Sequence, residues 1–192
     1  VARFFSDYDL ALKYYKKSHE IGLISGDSTS LSSSYNNIGN LYDDMGKYEL
    51  ALENQLKSLG IDEAMKDSIS LISSYNNVGL VHFRLGNNEK ALEYYNKSLE
   101  LRKKFGSKED LALAYNNIGI IYYYQENYEK TLEYFEKALE IWKKTGNKRQ
   151  MSLPIFNLGQ LYYELGLYNK ALDYMKQALE LSYELEDKQG RI

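Results

Sequence analysis

The chain has 192 residues, 44% hydrophobic and 27% charged, with a net charge of −3 and no cysteine. That mix supplies enough apolar material for a packed core; the missing cysteines exclude disulfides and any Cys-based metal site or nucleophile, and fit a cytoplasmic protein. No apolar run approaches the ~20 residues of a membrane span, the amino end Val1-Ala2-Arg3-Phe4-Phe5 does not read as a signal peptide, and the interspersed charges leave no basic stripe, so neither a membrane nor a nucleic acid is expected as a partner.

A single proline and 20 tyrosines point to a nearly all-helical chain with tyrosines at set places. Val1 to Phe5 read as the tail of a helix, Ser6-Asp7 as a turn, and Tyr8 to Leu23 as a second helix stopped by Gly26-Asp27. Four helical hairpins follow. Their first helices (A) are expected near 28–45, 68–85, 108–125 and 148–165, and their second helices (B) near 48–65, 88–105, 128–145 and 168–186. Gly46, Gly86 and Gly166 mark the A-to-B turns, with Glu126 at the third; Gly106 and Gly146 mark B-to-A turns, with Asp or Ser as N-caps. Gly60 sits mid-helix at an outer position, Lys66 stands where glycine is usual and predicts an irregular connection, and Pro154 predicts a late start or a kink in the last A helix.

The hairpins carry a strict repeat. Tyr35-Asn36-Asn37-Ile38-Gly39 returns as Tyr75-Asn76-Asn77-Val78-Gly79, as Tyr115-Asn116-Asn117-Ile118-Gly119 and, more loosely, as Ile155-Phe156-Asn157-Leu158-Gly159, every 40 residues (35, 75, 115, 155). A fixed period of this size means one supersecondary unit stacked on itself. The division expected is a partial repeat over 1–27, full repeats over 28–67, 68–107, 108–147 and 148–187, and the start of another over 188–192. Both ends fall inside a repeat, so a fragment of a longer array is expected, with apolar faces around Val1, Phe4 and Phe5 and around Leu181 and Leu185 left open for self-association.

On a wheel at 100° per residue, Tyr35, Ile38, Gly39, Tyr42 and Met45 cluster as a packing stripe. Gly39 lets the partner helix approach, and Ala51 (Ala91, Thr131 and Ala171 in the other hairpins) does the same from the B side. Ser33, Asn36, Asn37, Asn40, Asp43 and Asp44 fall opposite, where they are not expected in a core.

Tyr35, Ile38-Gly39, Tyr42, Gly46, Ala51 and Ser58 together resemble the tetratricopeptide-repeat pattern, in the long-repeat branch of kinesin light chain, Pins-type scaffolds and bacterial Rap-type receptors. Tyr replaces the family's usual Trp, and Gln55, Tyr95, Phe135 and Met175 stand at its usual Phe. The resemblance implies an all-α, right-handed α-solenoid of stacked helix-turn-helix repeats, and a concave groove lined by A helices that binds peptide segments. The groove positions it implies include Asn37, Asn40 and Asp44 in the first repeat; Asn77, Phe83 and Arg84 in the second; Asn117, Ile120, Tyr123 and Tyr124 in the third; and Leu153, Phe156, Asn157, Gln160, Tyr163 and Glu164 in the fourth.

The ladder Asn37, Asn77, Asn117 and Asn157 is the main functional signal, because a carboxamide offers a donor and an acceptor to a peptide unit. The alternative is that these amides bond to neighbouring A helices and hold the stack. A ligand role is favoured for the ladder; for Asn36, Asn76 and Asn116, which lean toward the neighbouring helix, both readings stand. Phe83, Tyr123, Tyr124, Phe156 and Tyr163 would add apolar selectivity, and Asp43 and Asp44 would favour a basic ligand residue. Arg84 alone is too little for a carboxylate clamp. His19 and His82 fall at packing positions and form no metal site, no phosphate loop or nucleophile–base pair is visible, and the Glu residues of the B helices sit beside Lys97, Lys137 and Lys144 as an ion-paired outer face.

The function expected is a non-catalytic protein-interaction module that docks a peptide segment of a partner, or of its own full-length chain, without a cofactor or metal. A self-assembling spacer and a small-ligand receptor of a bacterial regulator are the alternatives.

Overall fold

A computed structural model describes residues 2–189, with side chains described for 8–185. Those residues form nine helices and no strand: α1 (Ala2–Ser25), α2 (Ser28–Asp44), α3 (Tyr48–Met65), α4 (Ser68–Arg84), α5 (Asn88–Phe105), α6 (Lys108–Tyr124), α7 (Tyr128–Thr145), α8 (Lys148–Glu164) and α9 (Tyr168–Gln189). The fold class is all-α, an α-solenoid of stacked hairpins. The chain divides into two compact units, one ending at Phe105 and holding α1 to α5, the other starting at Gly106 and holding α6 to α9.

The even helices start where short polar side chains can satisfy their free N–H groups. Asp27 accepts from the Thr29 N–H and Asp67 from the Ile69 N–H, each at 3.0 Å. Ser107 and Asp110 form a reciprocal capping box, and Asn147 caps α8. The turns use left-handed backbone at Gly26, Gly46, Gly86, Gly146 and Gly166, but also at Lys66 and Glu126, both with φ of 57°. The connection at Lys66 is therefore regular, contrary to the sequence expectation: lysine takes the glycine conformation, at a cost of about 1 kcal/mol.

Two further expectations are corrected. No turn occurs at Ser6-Asp7, because α1 runs through them; Ser6 stands where the other hairpins have the left-handed Gly46, Gly86 or Gly166. Likewise α9 runs on to Gln189, since Glu186 replaces the stop glycine seen at 26 and 146. Of the two readings of Pro154, the late start is excluded, because helix α8 starts at Lys148; the proline lies buried in the seventh position and removes one backbone bond there.

Within each hairpin the A helix glycine is in tight contact with the B helix. A methyl at Gly39 would lie 2.7 Å from Gln55, at Gly79 2.9 Å from Tyr95, at Gly119 2.7 Å from Phe135, and at Gly159 3.0 Å from Met175. Ala51, Ala91 and Thr131 are fully buried on the other side of these contacts. Aromatic stacking follows the same register: His82 on Tyr94 at 5.5 Å, Tyr122 on Tyr134 at 5.5 Å and Tyr162 on Tyr174 at 5.4 Å. His82 is thus a packing residue, and burial lowers its pKa. His19 packs edge-on against Tyr35 and pairs with the Ser34 hydroxyl.

The two units build their hairpin-to-hairpin seams from different chemistry. In the first, the seam of α2, α3 and α4 is polar: Asp62, buried, accepts from the Ser32 hydroxyl at 2.6 Å and from the Ser74 hydroxyl, with Ser58 donating to the Ser32 carbonyl. In the second, Trp142 occupies the register position of Asp62 and packs with Ala112 and Ala138, against Met151. Burying a side chain of that kind contributes about 1.5–3 kcal/mol. Leu181, expected to be open, is buried with Ile155, Leu158 and Tyr162, and Leu185 packs beside it. The exposed large hydrophobic residues among the described side chains of α9 are instead Tyr168, Leu172, Leu179 and Tyr183. Val1, Phe4 and Phe5 lie outside the described side chains. On the B helices, Glu93–Lys97 and Glu140–Lys144 pair at 2.7 and 2.6 Å on an exposed face, as the sequence implies.

Candidate functional site

The A helices bring part of the expected groove together in the second unit. Ile120, Tyr123 and Tyr124 of α6, Leu153, Asn157 and Gln160 of α8, and Phe135 of α7 line a cavity of about 280 Å³. The helical spacing explains the assembly. Residues 120, 123 and 124 lie on one face of α6, and 153, 157 and 160 on one face of α8. Phe135, itself 1% exposed, is the inner wall, seated against Gly119.

The walls are mostly apolar, and Leu153 and Tyr124 are more than half exposed. The polar groups gather at one side. Tyr123 donates its hydroxyl to Glu164 Oε1 at 2.6 Å, and Gln160 Nε2 lies 3.4 Å from both the Tyr123 oxygen and the same carboxylate oxygen. Bonding to Glu164, with burial second, pushes the Tyr123 pKa up to about 12. Asn157 is half-buried in the wall. Tyr163 stands exposed next to Tyr168, ring centroids 5.6 Å apart, and Phe156 is half exposed.

The same seven register positions in the first unit, each 80 residues earlier, are Asn40, Asp43, Asp44, Gln55, Ser73, Asn77 and Leu80. There three of the polar side chains, Asn40, Gln55 and Asn77, are bonded internally. Gln55 donates to Asn40 Oδ1 at 2.8 Å and to the Asn36 carbonyl at 3.2 Å. Asn77 Nδ2 donates to Asn36 Oδ1 at 2.7 Å, tying α4 to α2. Arg84 Nε lies 3.9 Å from Asp43 Oδ1, and desolvation raises the Asp43 pKa. Asn37 and Asp44 stand exposed, and Phe83 is half-buried.

The expected ladder is therefore not uniform. Asn77 is a cross-helix tie, Asn157 lines a cavity, Asn37 is exposed and Asn117 is half-buried. Asn116 is 4% exposed and its Oδ1 is unpartnered, so this residue is buried, whereas Asn36 and Asn76 at the same repeat position are half-buried and Phe156 is half exposed. The residue that sequence reasoning did not assign to the groove is Phe135. It lies on a B helix and reads as core; the fold seats it against Gly119 and in the lining of the cavity. Among the described residues no group of three or more His, Asp or Glu side chains could hold a metal ion, and no helix is long and apolar enough to cross a membrane.

A tetratricopeptide-repeat family model matches residues 1–64, 70–144 and 110–184. The chain belongs to the tetratricopeptide-repeat family. Its fold is similar to that of BtubC (BKLC) from P. vanneervenii, with a TM-score of 0.84, 23% identity, and coverage of 96% of this chain and 76% of that one. It is also similar to a signal transduction ATPase with numerous domains carrying a tetratricopeptide repeat sensor, from Pyrococcus horikoshii (TM-score 0.77, 27% identity, 85% of this chain and 25% of that one). A Rap protein complexed with competence and sporulation factor gives a TM-score of 0.81 at 20% identity, over 95% of this chain and 51% of that one. The chain thus spans a quarter of the second protein and about half of the third. No curated protein matches it by sequence.

Proposed function

We propose that the chain is a non-catalytic protein-interaction module that binds an extended peptide segment along its A helices, and that the cavity of the second unit is the anchoring point. The observation carrying this reading is the cavity itself: apolar walls from Ile120, Leu153 and Tyr124 beside convergent polar groups from Asn157 and Gln160. An apolar recess with a few placed polar groups is the usual form of a binding site. At about 280 Å³ it suits one large side chain of a ligand. The Asn157 carboxamide would pair with a backbone unit on either side of that residue. Related support comes from the Rap protein, which carries the same fold and is seen with competence and sporulation factor.

The test is a peptide-array screen on the chain and on Leu153→Asp. Leu153 is 54% exposed, so the substitution leaves the melting temperature near that of the parent while placing a charge in the recess. Bound peptides should be lost. Retained binding, or an array with no hits for the parent chain, contradicts the reading.

A further inference from the structure

We infer that the recess of the second unit selects a segment carrying a large apolar residue and, about three positions from the residue gripped by Asn157, a lysine or arginine; this rests on the proposed peptide-binding reading. The A-helix groove positions of this unit are 113, 116, 117, 120, 123 and 124 on α6 and 153, 156, 157, 160, 163 and 164 on α8. Eleven of these twelve are uncharged, and the twelfth is Glu164. Its carboxylate is bound by two residues that also line the recess, Tyr123 at 2.6 Å and Gln160 at 3.4 Å. The negative charge is thus exposed and held at the edge of an apolar cavity.

An apolar recess flanked by one fixed anion complements an apolar residue flanked by one cation. It disfavours an acidic residue at the same place. The spacing follows from geometry. Glu164 lies seven residues beyond Asn157 on α8, which is about 10 Å along the helix axis. An extended peptide covers that in about three residues at ~3.3 Å each. Both are on the face of α8 that reaches the recess through Gln160, four residues before Glu164. The first unit offers no equivalent. Leu80 is the only large apolar side chain at the seven matching positions, and Asp43 there already has Arg84 beside it.

The experiment uses fluorescent Gly/Ser peptides holding Phe-Ser-Ser-Arg or its reverse, with Phe-Ser-Ser-Glu and Ala-Ser-Ser-Arg in both orders as comparisons, titrated to millimolar chain by anisotropy. One order of the Phe/Arg peptide should bind about five- to tenfold tighter than its Glu counterpart at low salt, with the gap narrowing as salt rises. It should also bind tighter than the Ala version. Glu164→Gln should bring the Arg peptide down to the Glu peptide's affinity, and Glu140→Gln on the outer face should not. Equal binding of the Arg and Glu peptides overturns the charge selection while leaving the peptide-binding reading in place. Binding by none of the peptides overturns the inference, and the array screen on Leu153→Asp then decides separately whether peptide binding itself stands.

Discussion

Asn77 donates its side-chain N–H to Asn36 Oδ1 at 2.7 Å, across the gap between α4 and α2. Its register equivalent in the second unit, Asn157, lines a cavity. One residue type at one repeat position therefore serves two purposes. In the first unit the amide ties repeats together; in the second it borders space that a ligand can fill. Asn77→Ala and Asn36→Ala should each cost about 0.5–1.5 kcal/mol, and the double variant should cost less than their sum. Urea denaturation of the three variants checks this. Additive losses would show that the pair does not interact.

The polar seam centred on Asp62 makes a stronger demand. Its carboxyl accepts from the Ser32 and Ser74 hydroxyls within a buried cluster. Asp62→Ala leaves a buried hydroxyl without its acceptor and should destabilise by about 2–3 kcal/mol, read by denaturant midpoint. A loss below about 0.5 kcal/mol, the scale of an ordinary surface change, would contradict the seam's role.

Two helical glycines should respond in opposite directions to the same change. A methyl on Gly60 meets nothing within 4 Å, so Gly60→Ala should stabilise by about 1 kcal/mol through helix propensity. A methyl on Gly119 would sit 2.7 Å from Phe135 Cδ1 and 3.3 Å from Tyr134 Cβ, so Gly119→Ala should destabilise by about 1–3 kcal/mol. Thermal melts of the two variants give the signs directly.

Asp43 sets a pH dependence. Burial raises its folded pKa above the ordinary 3.8, with Arg84 opposing the rise. The folded state therefore holds its proton more tightly than the unfolded chain does. Its contribution favours folding at pH below the ordinary value and declines as pH rises through the raised one. Asp43→Asn should remove that decline, giving a flatter stability curve on the acid side of neutrality and a more stable protein at pH 7. Stability of both forms measured across pH 3 to 7 tests the sign.

Most of the helical framework was legible in the residues because the signals are local. The 40-residue period, the glycine stops and the Asp, Ser and Asn caps place α2 through α8 to within a residue of their expected ends. The errors fall where a local signal is missing or replaced. Ser6 and Glu186 stand at stop-glycine positions and the helices continue, whereas Lys66 adopts the glycine conformation. The split between Asn77 and Asn157 was not legible. The preceding A helix offers the same residue in both units, Asn36 and Asn116, yet Asn36 Oδ1 accepts from Asn77 while Asn116 Oδ1 has no partner, so the difference lies in the packing between repeats. Gln55 in place of an aromatic is the signal that could have hinted at it, since a buried amide at that position must find partners and takes Asn40 and the Asn36 carbonyl.

The most direct test of the account follows methyl resonances while a peptide from the array screen is titrated into the chain. Ile120 and Leu153 border the recess, and Leu80 marks the matching place in the first unit. Peptide held in the recess should give saturable shifts at Ile120 and Leu153, with Leu80 unmoved. Shifts centred on Leu80, or bound peptide with Ile120 and Leu153 unmoved, would contradict the account.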